Sequence, residues 1–232
     1  MEKILLAAPI YNGKEYIIDD YLDNVKLILE YSKLDDDEYF EMQIDTLFVD
    51  NSKDHDFSER LKKKYPMLNI KKIPRLDGDT RIAQGAALTV IRDEFLKGNY
   101  THLFLLESDI IPHPDILLHL LSSDKDAVAA PYFLNKKKGI TCVTKKTVIA
   151  NNGSFPAIME LPKFFDGELK QAENGVGFGC VLIKRKVIEA IEFRWGNNHA
   201  DTYFWQDAQD YKFEVWIDTS QMIRHYPGRK EC

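Results

Sequence analysis

Short apolar runs alternate with helical spacing along the first half of this chain, and no other feature narrows its fold as much. Ile4–Ile10 reads as a strand, and Tyr16–Leu29 carries apolar residues at helical intervals. Ile44–Val49 is a second strand, followed by a polar helix over Ser58–Tyr65. Ile70–Ile73 is a third strand. Asp77-Gly78-Asp79-Thr80 supplies a turn and a helix cap. Ile82, Ala83, Ala86, Ala87, Val90, Ile91 and Phe95 then mark one helical face. Leu103–Leu106 is short and wholly apolar, as a buried strand is. Pro114 suits the first turn of the next helix, and Ala127–Phe133 is a further strand. The order βαβαβαβαβ predicts an α/β fold with a mixed, mostly parallel central sheet flanked by helices.

The second half is less regular. Residues 134–172 mix lysines with short β-rich pieces around a hairpin signal, Asn151-Asn152-Gly153. Glycine-rich Asn174–Gly179 feeds a strand at Cys180–Ile183, and a short helix starts near Lys186. Asp201–Tyr211 reads as a helix and Phe213–Ile217 as a last strand. No linker or repeat divides the chain. Its 232 residues suffice for one sizeable core, so residues 1–232 are expected to form one domain.

A net charge of −6 argues against nucleic acid as a partner. Lysines cluster at Lys136–Lys138 and Lys145-Lys146. They read first as solvated loops, leaving peripheral membrane contact or a phosphate-rich acceptor as the lesser reading. Three cysteines, Cys142, Cys180 and Cys232, form no metal-binding spacing and point to a reduced, cytoplasmic protein. Ile4–Ala8 is too short for a signal-peptide core, and no segment is apolar over a transmembrane length.

Chemistry concentrates where strands end, because open α/β sheets bind ligands at their carboxyl edge. Pro9-Ile10-Tyr11-Asn12-Gly13 follows the first strand, and Asp50-Asn51-Ser52 the second. Glu107-Ser108-Asp109 follows the fourth. Acids spaced i,i+2 off a strand point the same way and repel unless something positive joins them. A hard divalent cation such as magnesium, manganese or calcium would do so, although the triplet equally reads as a solvated loop start with two surface acids. Asp50 suits a ribose or base N–H, although Asp50-Asn51-Ser52 is equally an Asx turn. Tyr11 suits stacking on a base. Arg81 and Gln84 open the next helix, where they face the same ligand or solvent. The chain lacks G-x-G-x-x-G after its first strand and lacks a P-loop. This disfavours nicotinamide dehydrogenases, glycine-loop methyltransferases and NTPases.

These segments, in this order, resemble those of family-2-type glycosyltransferases with the Rossmann-like GT-A fold. Ala8-Pro9-Ile10-Tyr11-Asn12 is similar to their "PVYN", and Val49-Asp50-Asn51-Ser52 to "VDNSS". Arg81 to Ala86 resembles their "R..A.A.N" helix, and Glu107-Ser108-Asp109 stands where they carry "DxD". Val176–Ile183 resembles "G.GFGCLLI", Asp201–Phe204 resembles "EDTYF", and His225 matches a late histidine. The resemblance implies a nucleotide-binding half over 1–133 and an acceptor-binding half over 134–232. Pro9, Tyr11, Asn12, Asp50, Asn51, Arg81, Gln84, Glu107 and Ser108 would hold the nucleotide of a nucleotide-diphosphate sugar. Asp109 would be the principal ligand of Mn²⁺ or Mg²⁺, with Glu107 and His225 in support. Asp201 would be the base in an inverting transfer to a hydroxyl on a carbohydrate, lipid-linked or protein acceptor.

The chain departs from that pattern at three places. Glu107 replaces the usual Asp, Ala200 replaces the Glu of "ED", and Lys212 stands where a helix-ending Gly is common. The second departure makes Asp207 a rival base. Two other functions compete. A sugar nucleotidyltransferase would need a glycine-rich basic loop after the first strand, for which Tyr11-Asn12-Gly13-Lys14 is a poor substitute. A non-catalytic nucleotide- or carbohydrate-binding module is the other.

Overall fold

The apolar runs of the first half form the middle of a mixed sheet. The computed structural model describes residues 1–33, 42–76, 79–147, 157–159, 165–172 and 174–228. Strands β1 (Glu2–Ile10), β2 (Met42–Asp50), β3 (Ile70–Lys72) and β4 (His102–Leu106) alternate with helices α1 (Ile18–Tyr31), α2 (Phe57–Lys64) and α3 (Thr80–Lys97). Next come β5 (Ile110–Ile111), α4 (Ile116–Ser122), β6 (Ala127–Ala129), and the hairpin strands β7 (Phe133–Asn135) and β8 (Ile140–Thr141). Strands β9 (Thr144–Thr147), β10 (Ala157–Met159), β11 (Leu169–Gln171) and β12 (Cys180–Lys184) follow. Helices α5 (Arg185–Ala190) and α6 (Ala200–Asp210) and strands β13 (Val215–Asp218) and β14 (Arg224–His225) complete the described strands and α-helices.

The main sheet has eight strands in the order β11-β13-β6-β12-β4-β1-β2-β3. β4, β1, β2 and β3 are mutually parallel, as is the β13–β6 pair. β12 runs against both β4 and β6, and β11 runs against β13. The expected mixed, mostly parallel sheet is therefore present. Ile4–Ala8 of β1 and Leu103–Leu106 of β4 are buried, as central strands covered on both faces must be. α3 is capped by Asp79, whose carboxylate accepts the Arg81 amide at 2.9 Å. The other two residues of the predicted cap turn, Asp77 and Gly78, lie outside the described residues, as does the Asn151-Asn152-Gly153 turn.

Two differences from the sequence reading have local causes. The strand expected over Ala127–Phe133 stops at Ala129, and Phe133 joins a separate two-stranded sheet with β8. Pro131 has no N–H to continue the ladder. Its carbonyl instead accepts the Ile223 amide at 3.0 Å, which draws the C-terminal segment onto this edge. α6 ends in a Schellman motif: Phe213 N–H reaches Ala208 O at 2.8 Å and Lys212 N–H reaches Gln209 O at 2.9 Å. Lys212 thereby takes a φ of +63°, the left-handed conformation a glycine would adopt freely. Lys212→Gly is expected to stabilise the protein by about 1 kcal/mol, read as a higher urea midpoint at unchanged m-value. An unchanged or lower midpoint would refute this.

Candidate active site

Three strand ends meet at one cleft of about 180 Å³, lined by Pro9, Tyr11, Asn51, Gln84, Glu107, Ser108 and Asp109 among others. Lys14, Arg75, Thr80 and Ala83 complete its lining. The backbone turns at β1 and β2 are tied together: Asn51 N–H donates to Ile10 O at 3.1 Å, and Asn12 N–H donates to Ser52 Oγ at 2.7 Å. The Asn51 side chain is buried and donates to the Ala83 carbonyl at 2.8 Å, fixing α3 against the cleft. The Tyr21 hydroxyl donates to Leu106 O at 2.6 Å and anchors the end of β4.

Asp50 plays a structural part in this arrangement. It is fully buried, accepts the Ser52 amide at 2.8 Å, and pairs with the Lys72 ammonium at 2.9 Å. That ammonium also donates to the carbonyls of Ser52 and Asp54. Asp50 thus orders the loop that carries Asn51 and is absent from the cleft lining. Asn12 and Arg81 are absent from it too. The Arg81 guanidinium is held by Asp79 and by the Asn197 carbonyl.

Asp109 is the electrostatic centre of the cleft. The Lys14 ammonium contacts its Oδ2, and His225 Nε2 lies 3.4 Å from the same oxygen. His225 arrives there because β14 pairs antiparallel with β5, setting His225 opposite Ile110. Tyr226 N–H donates to the Asp109 carbonyl at 2.8 Å, and the Tyr16 hydroxyl donates to the Tyr226 carbonyl at 2.6 Å. His225 Nδ1 donates to the Phe133 carbonyl at 2.8 Å, since a carbonyl can only accept. Its ring also packs on Tyr132, with centroids 5.0 Å apart. That packing needs Gly179, because a Cβ there would lie 2.4 Å from the Tyr132 ring.

Burial works to raise the pKa of Asp109, but the His225 contact and Lys14 together hold it below the ordinary carboxylate range. The reciprocal effect outweighs burial at His225 and Lys14 and lifts both pKa values. Glu107 differs. Burial, then the charges of Asp109 and Asp201, push it up to about 7. Its carboxylate accepts Gln84 Nε2 at 2.8 Å.

A second cleft of about 450 Å³ adjoins the first, and Gln84 and Glu107 line both. Its remaining lining comes from residues 132 to 205, including Tyr132, Asn174, His199, Asp201 and Trp205. Asp201 stands in the first turn of α6, its Oδ1 accepting the Thr202 amide at 2.7 Å. Burial raises its pKa. Trp205 is 2% exposed and packs edge-on against Phe178 and Phe204 while donating its indole N–H to the Val176 carbonyl. Asp207 lies elsewhere: Arg194 holds it bidentately at 2.6 and 2.9 Å, and it is absent from both linings.

Sequence reasoning missed Lys14 and Arg75 as cleft residues. Lys14 lies one residue beyond the Tyr11-Asn12-Gly13 segment, where the sequence alone marks it only as a poor substitute for a phosphate loop. Arg75 lies 5.5 Å from the Tyr11 ring and 3.3 Å from Asn51 Oδ1, and no local pattern marked it.

No protein-family model matches the sequence, and no curated protein matches it. Solved structures do match over nearly the whole chain. TarS residues 1–349 of S. aureus superpose with a TM-score of 0.56 at 13% identity, covering 96% of this chain and 59% of that one. GalNAc-T7, solved with UDP, GalNAc and Mn²⁺, gives a TM-score of 0.63 at 10% identity, covering 96% and 43%. A197 from STIV gives 0.52 at 15% identity, covering 99% and 88%. The chain therefore spans about half the length of the TarS and GalNAc-T7 chains it matches. It shares their α/β GT-A fold.

Proposed function

We propose that the chain is a glycosyltransferase that moves a sugar from a nucleotide-diphosphate sugar to an acceptor hydroxyl, with inversion. The observation that carries this reading is the meeting of two clefts at Gln84 and Glu107, with Asp109 and His225 on one side and Asp201 on the other. Residues up to Asp109 line the first cleft, which supports a nucleotide half over 1–133. The second draws mainly on later residues, which supports an acceptor half over 134–232.

Asp109 and His225 fit a divalent cation, Mn²⁺ or Mg²⁺. The Phe133 carbonyl occupies Nδ1 and orients Nε2 toward Asp109, as partners of metal-binding histidines commonly do. The Lys14 ammonium already stands on Asp109 as a substitute cation. Among the described residues no group of three His, Cys, Asp or Glu side chains is placed to hold a metal ion, so donor phosphates would complete the shell. Glu107 lines the same cleft and is engaged by Gln84. When bound, the cation supplies positive charge to the departing diphosphate.

The chain's own groups account for the rest. Tyr11 and Arg75 offer a stacking face and a cation to the nucleotide. Asp201, with its pKa raised by burial, is suited to take the proton of the acceptor hydroxyl as the sugar–phosphate bond breaks. The sugar passes through an oxocarbenium-like state between them. The buried thiols of Cys142 and Cys180 are unpaired, which supports a reducing, cytoplasmic compartment. Among the described residues no helix is long and apolar enough to cross a membrane.

Because two similar structures hold UDP or a UDP-sugar, UDP is the first nucleotide to test. Isothermal titration is expected to detect UDP or GDP binding that strengthens when Mn²⁺ is added. Absence of binding to either nucleotide, with metal present, would sink the reading.

A further inference from the structure

We propose that Lys14 is the diphosphate-binding lysine of this site, and that it couples nucleotide binding to metal binding by leaving Asp109. The inference rests on the nucleotide-sugar reading above. It starts from one oxygen atom. Asp109 Oδ2 contacts the Lys14 ammonium and faces His225 Nε2 at 3.4 Å. A cation held by Asp109 and His225 competes with the ammonium for that oxygen. Two positive charges sharing one carboxylate oxygen repel strongly at such range, more so with the side chains of Lys14 and Asp109 only 19% and 8% exposed.

The ammonium then needs another anion. Lys14 ends the single turn of 3-10 helix after β1, Asn12–Lys14, so its backbone sits at the cleft rim and its side chain reaches across to β4's far end. Among the described lining residues the acids are Asp109 and Glu107, and Glu107 is engaged by Gln84. The diphosphate of a donor in the same cleft is the partner within reach of a four-carbon stem, whose ammonium suits phosphate as a point charge.

Three consequences distinguish this from a lysine that merely fills space. Without nucleotide, Lys14 opposes the metal. With nucleotide, the opposition is removed, so each ligand strengthens the other by the same factor. Removing the ammonium should therefore help the metal alone and hurt the nucleotide alone.

The test measures Mn²⁺ affinity by electron paramagnetic resonance and UDP affinity by titration calorimetry, each with and without the other ligand. Wild type, Lys14→Met and Lys14→Arg are compared. Lys14→Met is expected to bind Mn²⁺ alone on the order of tenfold more tightly than wild type. It is also expected to bind UDP more weakly and to lose most of the coupling between the two. Lys14→Arg keeps the charge and should keep the coupling. Circular dichroism checks that each variant folds; Lys14 sits at the cleft rim, outside the hydrophobic core. A Lys14→Met protein that binds Mn²⁺ and UDP as wild type does would overturn the assignment while leaving the nucleotide reading intact. A wild type that binds no nucleotide under any condition overturns both. If Lys14→Met weakens Mn²⁺ binding in the absence of UDP, the exchange is also wrong.

Discussion

Asp109→Ala is expected to lower sugar transfer by about 10²–10³-fold, the usual loss when one group stabilising developing charge is removed. The carboxylate is the point on which Lys14 and His225 both converge, and it is 5% exposed. Its removal leaves the His225 imidazole and the Lys14 ammonium facing each other without their common anion. The diphosphate loses the group that organises positive charge around it. The same variant should lose the dependence of UDP affinity on Mn²⁺, because the principal ligand is gone. Folding should survive, since the backbone of Asp109 keeps its bond to Tyr226 N–H. Initial rates with the donor that the wild type uses, together with titration calorimetry, check both parts. Transfer within threefold of wild type would remove Asp109 from the mechanism.

The second large effect belongs to Asp201→Asn. Loss of a general base costs about 10²–10⁴-fold. Asparagine keeps the shape of the side chain and can still accept the Thr202 amide, so α6 should remain in place. Donor binding should be unchanged, because Asp201 lines the second cleft and is absent from the lining of the first. The informative pattern is a collapse of kcat with UDP affinity unaltered. Asp207→Asn provides the control. Arg194 holds that carboxylate away from both clefts, so this variant should retain near-normal turnover. If Asp207→Asn is the inactive variant and Asp201→Asn is not, the two roles are reversed. Retention of the donor's anomeric configuration in the product would exclude the single displacement itself.

Much of this site was legible before the structure. Apolar runs that end in polar residues predicted strand ends, and strand ends in a parallel sheet share one edge. Pro9, Tyr11, Asn51, Gln84, Glu107, Ser108 and Asp109 do line one cleft. Asp50 shows where that logic stops. Its type and position suited a ribose as well as an Asx turn, and in the structure it accepts the Ser52 amide and pairs with Lys72. Lys72 lies on a different strand, so no local pattern could announce the pairing. Asp201 and Asp207 share one helix and nearly one composition. An ion pair with Arg194, thirteen positions before Asp207, separates their surroundings.

The sequence by itself determined the layered α/β order, because the period of burial is written into each segment and depends on no distant partner. It also determined which strand ends carry chemistry, since a residue's place after its own strand is local. Tertiary structure alone decided which charges meet. His225 reaches Asp109 because β14 pairs with β5, next to the bond from the Ile223 amide to the Pro131 carbonyl. Lys14 reaches the same carboxylate from the other side. Such contacts depend on through-space distances of a few ångströms between residues far apart in the chain, and a linear pattern carries no measure of those.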